Sequence, residues 1–274
     1  MKAIIVPVDF SPVSINAARY ALNIAAQTGG KIVLLHAFLS PSAMPVIGDV
    51  ELTEEGLWEF YEDELKILTE NLEKEKSGIK IEHMQMRGTV SESVAQLSDA
   101  LASQMIVMGI TGAGAAEITF FGSNTLNVSQ QSKIPVLIVP PEAKFKQVED
   151  IGLTTDFKNV DKRIPEKQVE EMLTLFGAKL HVMFVDDENK NWTSDTPLQS
   201  GLVESMFQEY QPQYHFINHP NLAEGLSDCA EKNNIGLLIC IKNDYNWLQK
   251  LFHKNHIKQL AVHSRIPLLI MNPA

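Results

Sequence analysis

Short apolar runs alternate with longer amphipathic stretches along the first half of the chain. Ala3–Val8 is a continuous apolar run, which is typical of a strand that is covered on both faces. The next stretch places apolar residues at helical spacing until Gly29-Gly30, so it predicts a helix that ends there. Ile32–Phe38 is a second apolar run and predicts a second strand. This alternation of strands and helices favours an α/β fold with a parallel, doubly wound sheet.

The alternation continues through the rest of this half. An apolar stripe from Leu57 to Leu72 predicts a long amphipathic helix, and a shorter stripe from Val94 to Leu101 predicts another. The other elements predicted here are the strands Ile81–Met86, Met105–Ile110 and Pro135–Val139 and the helix Ser123–Gln131. Either Ser11 or Ser14 is suited to cap the first helix.

The second half of the chain repeats the first. "SKIPVLIVP", which begins at Ser132, returns as "SRIPLLIMNP" 132 residues later, and Asp9-Phe10 matches Asp156-Phe157. This self-similarity predicts a tandem duplication whose second copy has lost residues. Pro140-Pro141 ends the last strand of the first copy, and a short polar linker follows. We therefore expect two domains, at residues 1–142 and 148–274.

Composition and charge narrow the class of protein. The 274 residues are 45% hydrophobic and 21% charged, which is ordinary for a folded protein. The net charge of −11 argues against nucleic acid and anionic membrane surfaces as partners. No apolar run approaches the roughly 20 residues of a membrane-spanning helix. Two cysteines are too few for a disulfide scaffold or a structural zinc site. We expect a soluble, cytoplasmic protein.

The stretch Met108–Thr125 contains the clearest candidate for a ligand-binding site. Its glycines would let backbone amides approach an anion, and Gly122-Ser123 opens a helix whose free N–H groups attract negative charge. These parts are suited to the phosphates of a nucleotide, and the alternative is a set of turn glycines beside a capping serine. Neither the P-loop spacing nor the dinucleotide fingerprint G-x-G-x-x-G is present.

The spacing of Gly109, Gly112, Gly122 and Ser123 is G-x2-G-x9-G-[ST], which resembles the nucleotide motif of the universal stress protein family. The opening "IIVPVDFSP" and the closing "IPVLIVP" are also similar to that family. The resemblance implies two five-stranded sheets of order 3-2-1-4-5, of the adenine nucleotide alpha hydrolase-like type. It also implies bound ATP or a related adenine nucleotide, and an internal pseudo-dimer. We expect Val136–Val139 to lie antiparallel to Leu268–Met271 in that pseudo-dimer.

The resemblance implies a role for each residue that matches the family pattern. Asp9 would lie beside the adenosine, and the backbone of Ala37 would contact adenine where the family more often has valine. The residues expected at the nucleotide are Pro7, Val8, Asp9, Ala37, Met108, Gly109, Gly112, Gly122, Ser123 and Asn124. Because the loop offers only neutral donors, we expect Mg²⁺ on the nucleotide, held by Asp9 directly or through water. The alternative for Asp9 is to cap the next helix.

The second copy departs from the motif. The residues at the positions of Gly109, Gly112, Gly122 and Ser123 are Ile241, Asp244, Lys254 and Asn255. A branched side chain and a carboxylate would oppose phosphate there, so we expect a degenerate copy. His253, His256 and His263 lack further ligands at metal spacing and are expected to face solvent. Cys229 and Cys240 are expected to be buried thiols.

Three functional hypotheses follow. The first is a stress-response protein that holds ATP in its first domain and acts as a binding and signalling module. The second is a slow ATP hydrolase or a self-phosphorylating protein, although no lysine or arginine stands between Gly109 and Asn124 to neutralise phosphate charge. The third is a nucleotide-free interaction protein. No catalytic residue is assigned, and an unidentified protein and a second copy of the chain are further candidate partners.

Overall fold

The protein is described from a computed structural model, at residues 2–39, 46–47, 50–51, 53–110, 122–186, 192–242 and 266–274. The chain forms two compact units, the first of which reaches Val136 while the second continues from Leu137. The domain limits 1–142 and 148–274 stay a prediction, and each unit is described by itself.

The first unit begins with alternating strands and helices. Its strands are β1 (Ala3–Pro7), β2 (Lys31–Phe38), β3 (Val46–Ile47), β4 (Val50–Glu51), β5 (Ile81–Arg87) and β6 (Met105–Gly109). The next strand, β7 (Val136–Val139), begins at the last residue of this unit and completes the strand order of the first copy. Its helices are α1 (Pro12–Thr28), α2 (Glu54–Glu75), α3 (Val90–Leu101) and α4 (Ser123–Gln131). The short antiparallel pair β3–β4 was not expected from the sequence. The other bounds fall within a few residues of the prediction, because apolar runs and caps define them locally.

The strands of the first unit pair in a doubly wound order. β2 pairs in parallel with β1 and with β5, and β1 pairs in parallel with β6. The fifth strand, β7, begins beside β6, where the amide of Ile106 donates a 2.9 Å hydrogen bond to the carbonyl of Pro135. The order is β5-β2-β1-β6-β7, which confirms the predicted α/β class and the order 3-2-1-4-5.

The second unit has the same order. Its strands are β8 (Asp150–Thr154), β9 (Lys179–Asp186), β10 (Gln213–Asn218), β11 (Leu237–Ile241) and β12 (Leu268–Met271). Its helices are α5 (Val160–Arg163), α6 (Glu166–Phe176), α7 (Thr196–Phe207) and α8 (Leu222–Lys232), with a 3-10 turn at Gln208–Tyr210. The strands pair in parallel, in the order β10-β9-β8-β11-β12.

Backbone conformation shows the duplication at matched positions. Phe10 and Phe157 both adopt the left-handed region, with φ of 61° and 51°, shortly after the first strand of each unit. This conformation costs a residue with a Cβ about 1–2 kcal/mol. Gly29 and Gly177 end the helices that precede β2 and β9 in the same region, with φ of 70° and 63°. Two unusual turns at equivalent places agree with the repeat seen in the sequence.

Side-chain caps fix where the helices begin. Ser11 rather than Ser14 caps α1, since its hydroxyl accepts a hydrogen bond from the Ser14 amide. Thr89 and Glu92 form a reciprocal capping box at α3. Asn221 and Glu224 occupy the matching positions in the second unit, where Asn221 caps α8. The start of each of these helices is therefore determined by its local sequence.

The core of each unit lies on the central strands, and the outer strands are more exposed. Every residue of β1 and of β6 is buried. Met84 is 42% exposed although it lies on a predicted strand, because β5 is the outer strand of its unit. Cys240 is buried, and burial raises the pKa of its thiol to about 11. The expectation for Cys229 was wrong, since its side chain on α8 is only half-buried.

Two glycines of the second unit provide a matched test of backbone strain. Gly177 has φ of +63°, whereas Gly201 lies in helix α7 with nothing within 4 Å of a Cβ placed there. We expect Gly177→Ala to destabilise the protein by about 1 kcal/mol and Gly201→Ala to stabilise it by about 0.5–1 kcal/mol. Urea unfolding measures both changes, and effects of the same sign would contradict this account.

Candidate functional site

The end of β1 delivers Asp9 to the carboxyl edge of the sheet. Pro7 and Val8 are buried, and Asp9 is the first exposed residue after them. Its Oδ1 accepts hydrogen bonds from the Ser11 amide, at 3.1 Å, and from the Ser11 hydroxyl, at 2.6 Å. These bonds close a tight turn through Phe10, so they fix the position of the carboxylate.

The same turn joins Asp9 to the start of helix α1. The amide of Asp9 donates to Ser14 Oγ at 3.3 Å, and the Ser14 hydroxyl donates to the Ser11 carbonyl at 3.1 Å. Asp9 thus supports the cap of α1 through Ser11 instead of capping the helix itself. This role is structural, and it leaves the nucleotide contact of Asp9 a separate proposal.

Gly109 ends β6 in a place where a side chain does not fit. A Cβ built on Gly109 would overlap Cγ1 of Val13 and lie 2.9 Å from the Val13 carbonyl oxygen. The glycine therefore lets the first turn of α1 pack directly against the end of β6. This packing explains why a glycine is needed at position 109 even without a bound ligand.

The N-terminus of α4 lies against the end of β6. The Gly122 amide donates to the Ile110 carbonyl at 2.8 Å, and the buried Thr125 hydroxyl donates to the Gly109 carbonyl at 2.8 Å. Ser123 and Asn124, the first two residues of the helix, are exposed. These two bonds place the first turn of α4 at the carboxyl edge of the sheet.

Helix α4 starts without a side-chain cap. Gly122 occupies the cap position and has no side chain to accept from the first-turn amides, and that turn contains no acidic residue. By contrast, Ser11, Thr53 and Thr89 cap α1, α2 and α3. An uncapped helix start presents unsatisfied N–H groups and the positive end of the helix dipole. This arrangement suits an anion.

His36 links the ends of β1 and β2. Its Nδ1 lies 2.9 Å from the Val8 carbonyl, which only accepts, so Nδ1–H is the donor. Burial lowers the pKa of His36 below its ordinary value, although the hydrogen bond to Val8 and the charge of Asp9 oppose the shift. His36 is therefore neutral at pH 7. Ala37, the next residue, is partly exposed at the same edge.

Sequence reasoning missed an aromatic cluster beside this edge. The Tyr61 ring lies 4.4 Å from His36 and stacks on Phe10 at 5.9 Å, measured between centroids. Trp58 contacts Phe38 edge-on, and the Arg87 guanidinium lies 4.8 Å from the Trp58 ring while it pairs with Glu54. The left-handed turn at Phe10 directs its ring into this cluster. Only the position of Tyr61 on the helical stripe hinted at it.

The equivalent place in the second unit is closed. Asp156 forms the same turn, with Oδ1 accepting from the Lys158 amide at 3.1 Å, but its carboxylate also pairs with Arg163 at 3.3 Å. Ile241 stands where the first unit has Gly109. The cavity between Asp156, Arg163 and Ile241 measures only about 20 Å³. Among the described residues this cavity has room for about one water molecule.

Nine of the ten residues predicted at the nucleotide lie in the described part of the chain, and the tenth, Gly112, lies outside it. The second-copy residues considered in the sequence also lie outside it: Asp244, His253, Lys254, Asn255, His256 and His263. The nine described candidates occupy four places at the sheet edge: the end of β1, the end of β2, the end of β6 and the start of α4. The carboxyl ends of parallel strands share one edge, where α/β proteins bind ligands. The structure therefore brings the described candidates to one side of the first unit.

Comparison with known proteins agrees with this architecture. The model of the universal stress protein family matches residues 1–140. The chain belongs to that family. It is 30% identical over 145 residues to the universal stress protein MJ0531 of Methanocaldococcus jannaschii, a match that covers 52% of this chain and 84% of that protein.

Solved universal stress proteins share the fold along the whole chain. One from Archaeoglobus fulgidus DSM 4304 is 17% identical with a TM-score of 0.71, and 98% of each chain is covered. A putative universal stress protein from Pseudomonas aeruginosa UCBPP-PA14 is 13% identical with a TM-score of 0.62, covering 100% of this chain and 94% of that one. At these identities the likeness concerns the fold alone.

The described residues of this universal stress protein contain neither a membrane-spanning helix nor a cluster of metal ligands. No helix there is both long and apolar enough to cross a membrane. No three histidine, cysteine, aspartate or glutamate side chains in the same residues come together to hold a metal ion.

The contact between Gly109 and Val13 generates a test of packing. We expect Gly109→Ala to destabilise the first unit by about 1–3 kcal/mol, because the new methyl group overpacks the start of α1. Val13→Ala removes the overlapping Cγ1 but keeps the carbonyl, so Gly109→Ala should cost less in that background. Chemical denaturation of the two single variants and the double variant measures this coupling. An equal cost in both backgrounds would show that Val13 is not the obstacle.

Proposed function

We propose that the first unit binds an adenine nucleotide, ATP or a close relative, and that this universal stress protein acts as a nucleotide-dependent binding module in a stress response. The observation that carries the proposal is the start of α4. An uncapped helix N-terminus with two exposed polar residues, Ser123 and Asn124, is held at the end of β6. The glycine spacing from Gly109 to Ser123 leads directly to this helix start.

The surrounding residues suit the other parts of a nucleotide. The partly exposed residue Ala37 and the aromatic cluster around Tyr61 lie at the ends of β1 and β2, on the side of Asp9. Apolar and aromatic surface with a few polar groups is the usual lining of a site for a base and a sugar. We therefore place the base near Ala37 and the phosphates at Gly122, Ser123 and Asn124.

Charge favours a bound divalent cation and slow chemistry. A nucleotide triphosphate adds several negative charges to a chain of net charge −11, and no lysine or arginine stands between Gly109 and Asn124. Mg²⁺ carried by the phosphates would supply the missing positive charge, and we assign Asp9 as the carboxylate that would hold it. Fast phosphoryl transfer also needs a positioned base or cationic side chain. We propose binding in preference to rapid hydrolysis.

The biological setting forms part of the same proposal. We place the protein in the cytoplasm, where a second protein would recognise the nucleotide-bound form. Binding orders the residues that it contacts and shifts the population of conformations. The closed cavity at Ile241 supports the assignment of binding to the first unit alone.

Two substitutions test the location of binding. Gly122→Val would place a branched side chain at the start of α4, so we expect it to lower ATP affinity at least about a hundredfold, equivalent to some 3 kcal/mol. Asn255→Ala, at the position that corresponds to Ser123 in the second copy, should leave affinity within about twofold. Isothermal titration calorimetry with MgATP measures both. Equal losses in the two variants would refute binding at the first unit.

A charge-only substitution tests the role of Asp9. Asp9→Asn keeps an oxygen that accepts from Ser11 and removes the negative charge, so α1 should stay capped. We expect wild-type affinity for ATP to fall about tenfold or more when EDTA replaces Mg²⁺, and the variant to show a smaller ratio. Calorimetry in both buffers gives the two ratios. Equal affinity of the wild type with and without Mg²⁺ would exclude the metal role.

A further inference from the structure

Three titratable side chains form a continuous hydrogen-bonded chain across three strands of the second unit. His181 on β9 is buried, and its Nε2 lies 2.9 Å from Oδ1 of Asp150 on β8. Its Nδ1 lies 2.8 Å from Nε2 of His215 on β10, and the two imidazole rings are nearly parallel, at 12°, with centroids 5.1 Å apart. This group, the Asp150–His181–His215 chain, lies outside the candidate nucleotide site.

Strand register places all three side chains on one face of the sheet. Gly152 pairs with His181, and Asp150 lies two residues before Gly152 on the same strand. His215 lies two residues after Gln213, which is the register partner of His181. Side chains two residues apart on a strand point to the same side, and so do register partners. The chain is therefore a consequence of the parallel register of β8, β9 and β10.

Hydrogen-bond chemistry determines where the protons are. The Asp150 carboxylate accepts, so His181 must donate from Nε2, and its Nδ1 is then the acceptor for the Nε2–H of His215. One additional proton fits on Nδ1 of His215 without breaking either bond. A second would protonate Nδ1 of His181 and set two N–H groups and two positive charges against each other. In the folded sheet the pair therefore holds at most one extra proton.

Helix α8 covers this face, since a Cβ at Gly225 would lie 3.2 Å from Cγ2 of Ile217, which shares the face with His215. On the strands, the other charged group beside the chain is the exposed Lys179, the register partner of Asp150. The charged residues of α8 are all exposed: Glu224, Asp228, Glu231 and Lys232.

Two titratable groups near this face have shifted pKa values. Burial raises the pKa of the Cys229 thiol on α8. Burial and the neighbouring His181 lower the pKa of His215.

The first unit has apolar residues at the three equivalent positions. The strand registers match Asp150, His181 and His215 with Ala3, Val33 and Met84. Apolar side chains fill this part of the first sheet, so the fold does not need a polar chain there. The second unit thus has a titratable contact where the first unit has apolar side chains.

We propose that the Asp150–His181–His215 chain is an acid-sensitive latch that holds strand β10 to its sheet at neutral pH and releases it as the pH falls. Once β10 is released, His181 and His215 no longer share a hydrogen bond and can each accept a proton, two in all, whereas the closed chain accepts one. The open form therefore gains population as the pH falls below about 6.5, the ordinary pKa of histidine. The closed form is stable above that pH, and its stability decreases in acid.

Release of β10 would expose apolar surface. Among the described strands β10 pairs with β9 alone, so it has one ladder of backbone hydrogen bonds to lose. Its Phe216 is already 53% exposed and contacts Phe157, Phe184 and Trp192, which together form the aromatic cluster of this unit. The latch thereby couples proton concentration to the exposure of that cluster.

Amide hydrogen exchange of the full-length protein tests the latch. The measured quantity is the protection of residues 213–218, corrected for intrinsic exchange rates, between about pH 7.5 and 5. For the wild type we expect protection to fall by about tenfold per pH unit below pH 6.5, and more steeply where the closed chain has not yet bound its own proton. The reason is that the open form binds one or two protons more than the closed form. His215→Gln keeps a donor at the Nε2 position and cannot titrate, so its β10 should show a weaker dependence. His83→Gln, in the first unit, is the control and should keep the wild-type slope.

Nitrogen NMR of the two imidazole rings gives an independent reading that does not depend on a variant. We expect His181 and His215 together to bind a single proton over the range in which β10 stays protected. Two full protonations with β10 still protected would overturn the proposal. A wild-type protection that does not change with pH, or an equal slope in His215→Gln, would overturn it as well.

Discussion

The packing of the first turn of α1 against the end of β6 controls the shape of the candidate site. Gly109 permits this contact because any Cβ there would overlap Val13. The contact places the Asp9 turn, which is joined to α1 through Ser11, beside the end of β6. The start of α4 reaches the same end of β6 through Gly122 and Thr125. One close approach between a helix and a strand thus brings the three parts of the site together.

The second unit shows what happens without that glycine. Ile241 fills the corresponding position, and the helix that follows the first strand is divided into α5 and α6 around Ile164-Pro165. Proline lacks the amide that continues a helix, so the division has a local cause. Arg163, at the end of α5, reaches Asp156 and neutralises its carboxylate. The same fold therefore carries a glycine at this edge in one unit and a branched side chain beside an ion pair in the other.

The second unit also has a polar feature that the first unit lacks. The second unit has lost the glycine motif and has acquired the Asp150–His181–His215 chain at positions that are apolar in the first. Both units keep the strained turn at Phe10 and Phe157, because each ring packs into an aromatic cluster. Their shared features thus concern the framework, and their differences concern polar groups at the sheet edge and face.

The sequence by itself determined the elements of the first unit, and its resemblance to a known family supplied the strand order and the candidate residues of the site. These features can be recognised without a structure because they act over short stretches of the chain or follow a known spacing. They are the apolar runs, capping residues such as Thr89, and the glycine spacing from Gly109 to Ser123. The tertiary structure alone decided the aromatic cluster at Tyr61, the exposure of Met84, the packing role of Gly109 and the histidine chain. Each of these depends on residues that are far apart in the chain and that strand register or helix packing brings within a few ångströms of each other. Local sequence patterns do not show which distant residues come into contact.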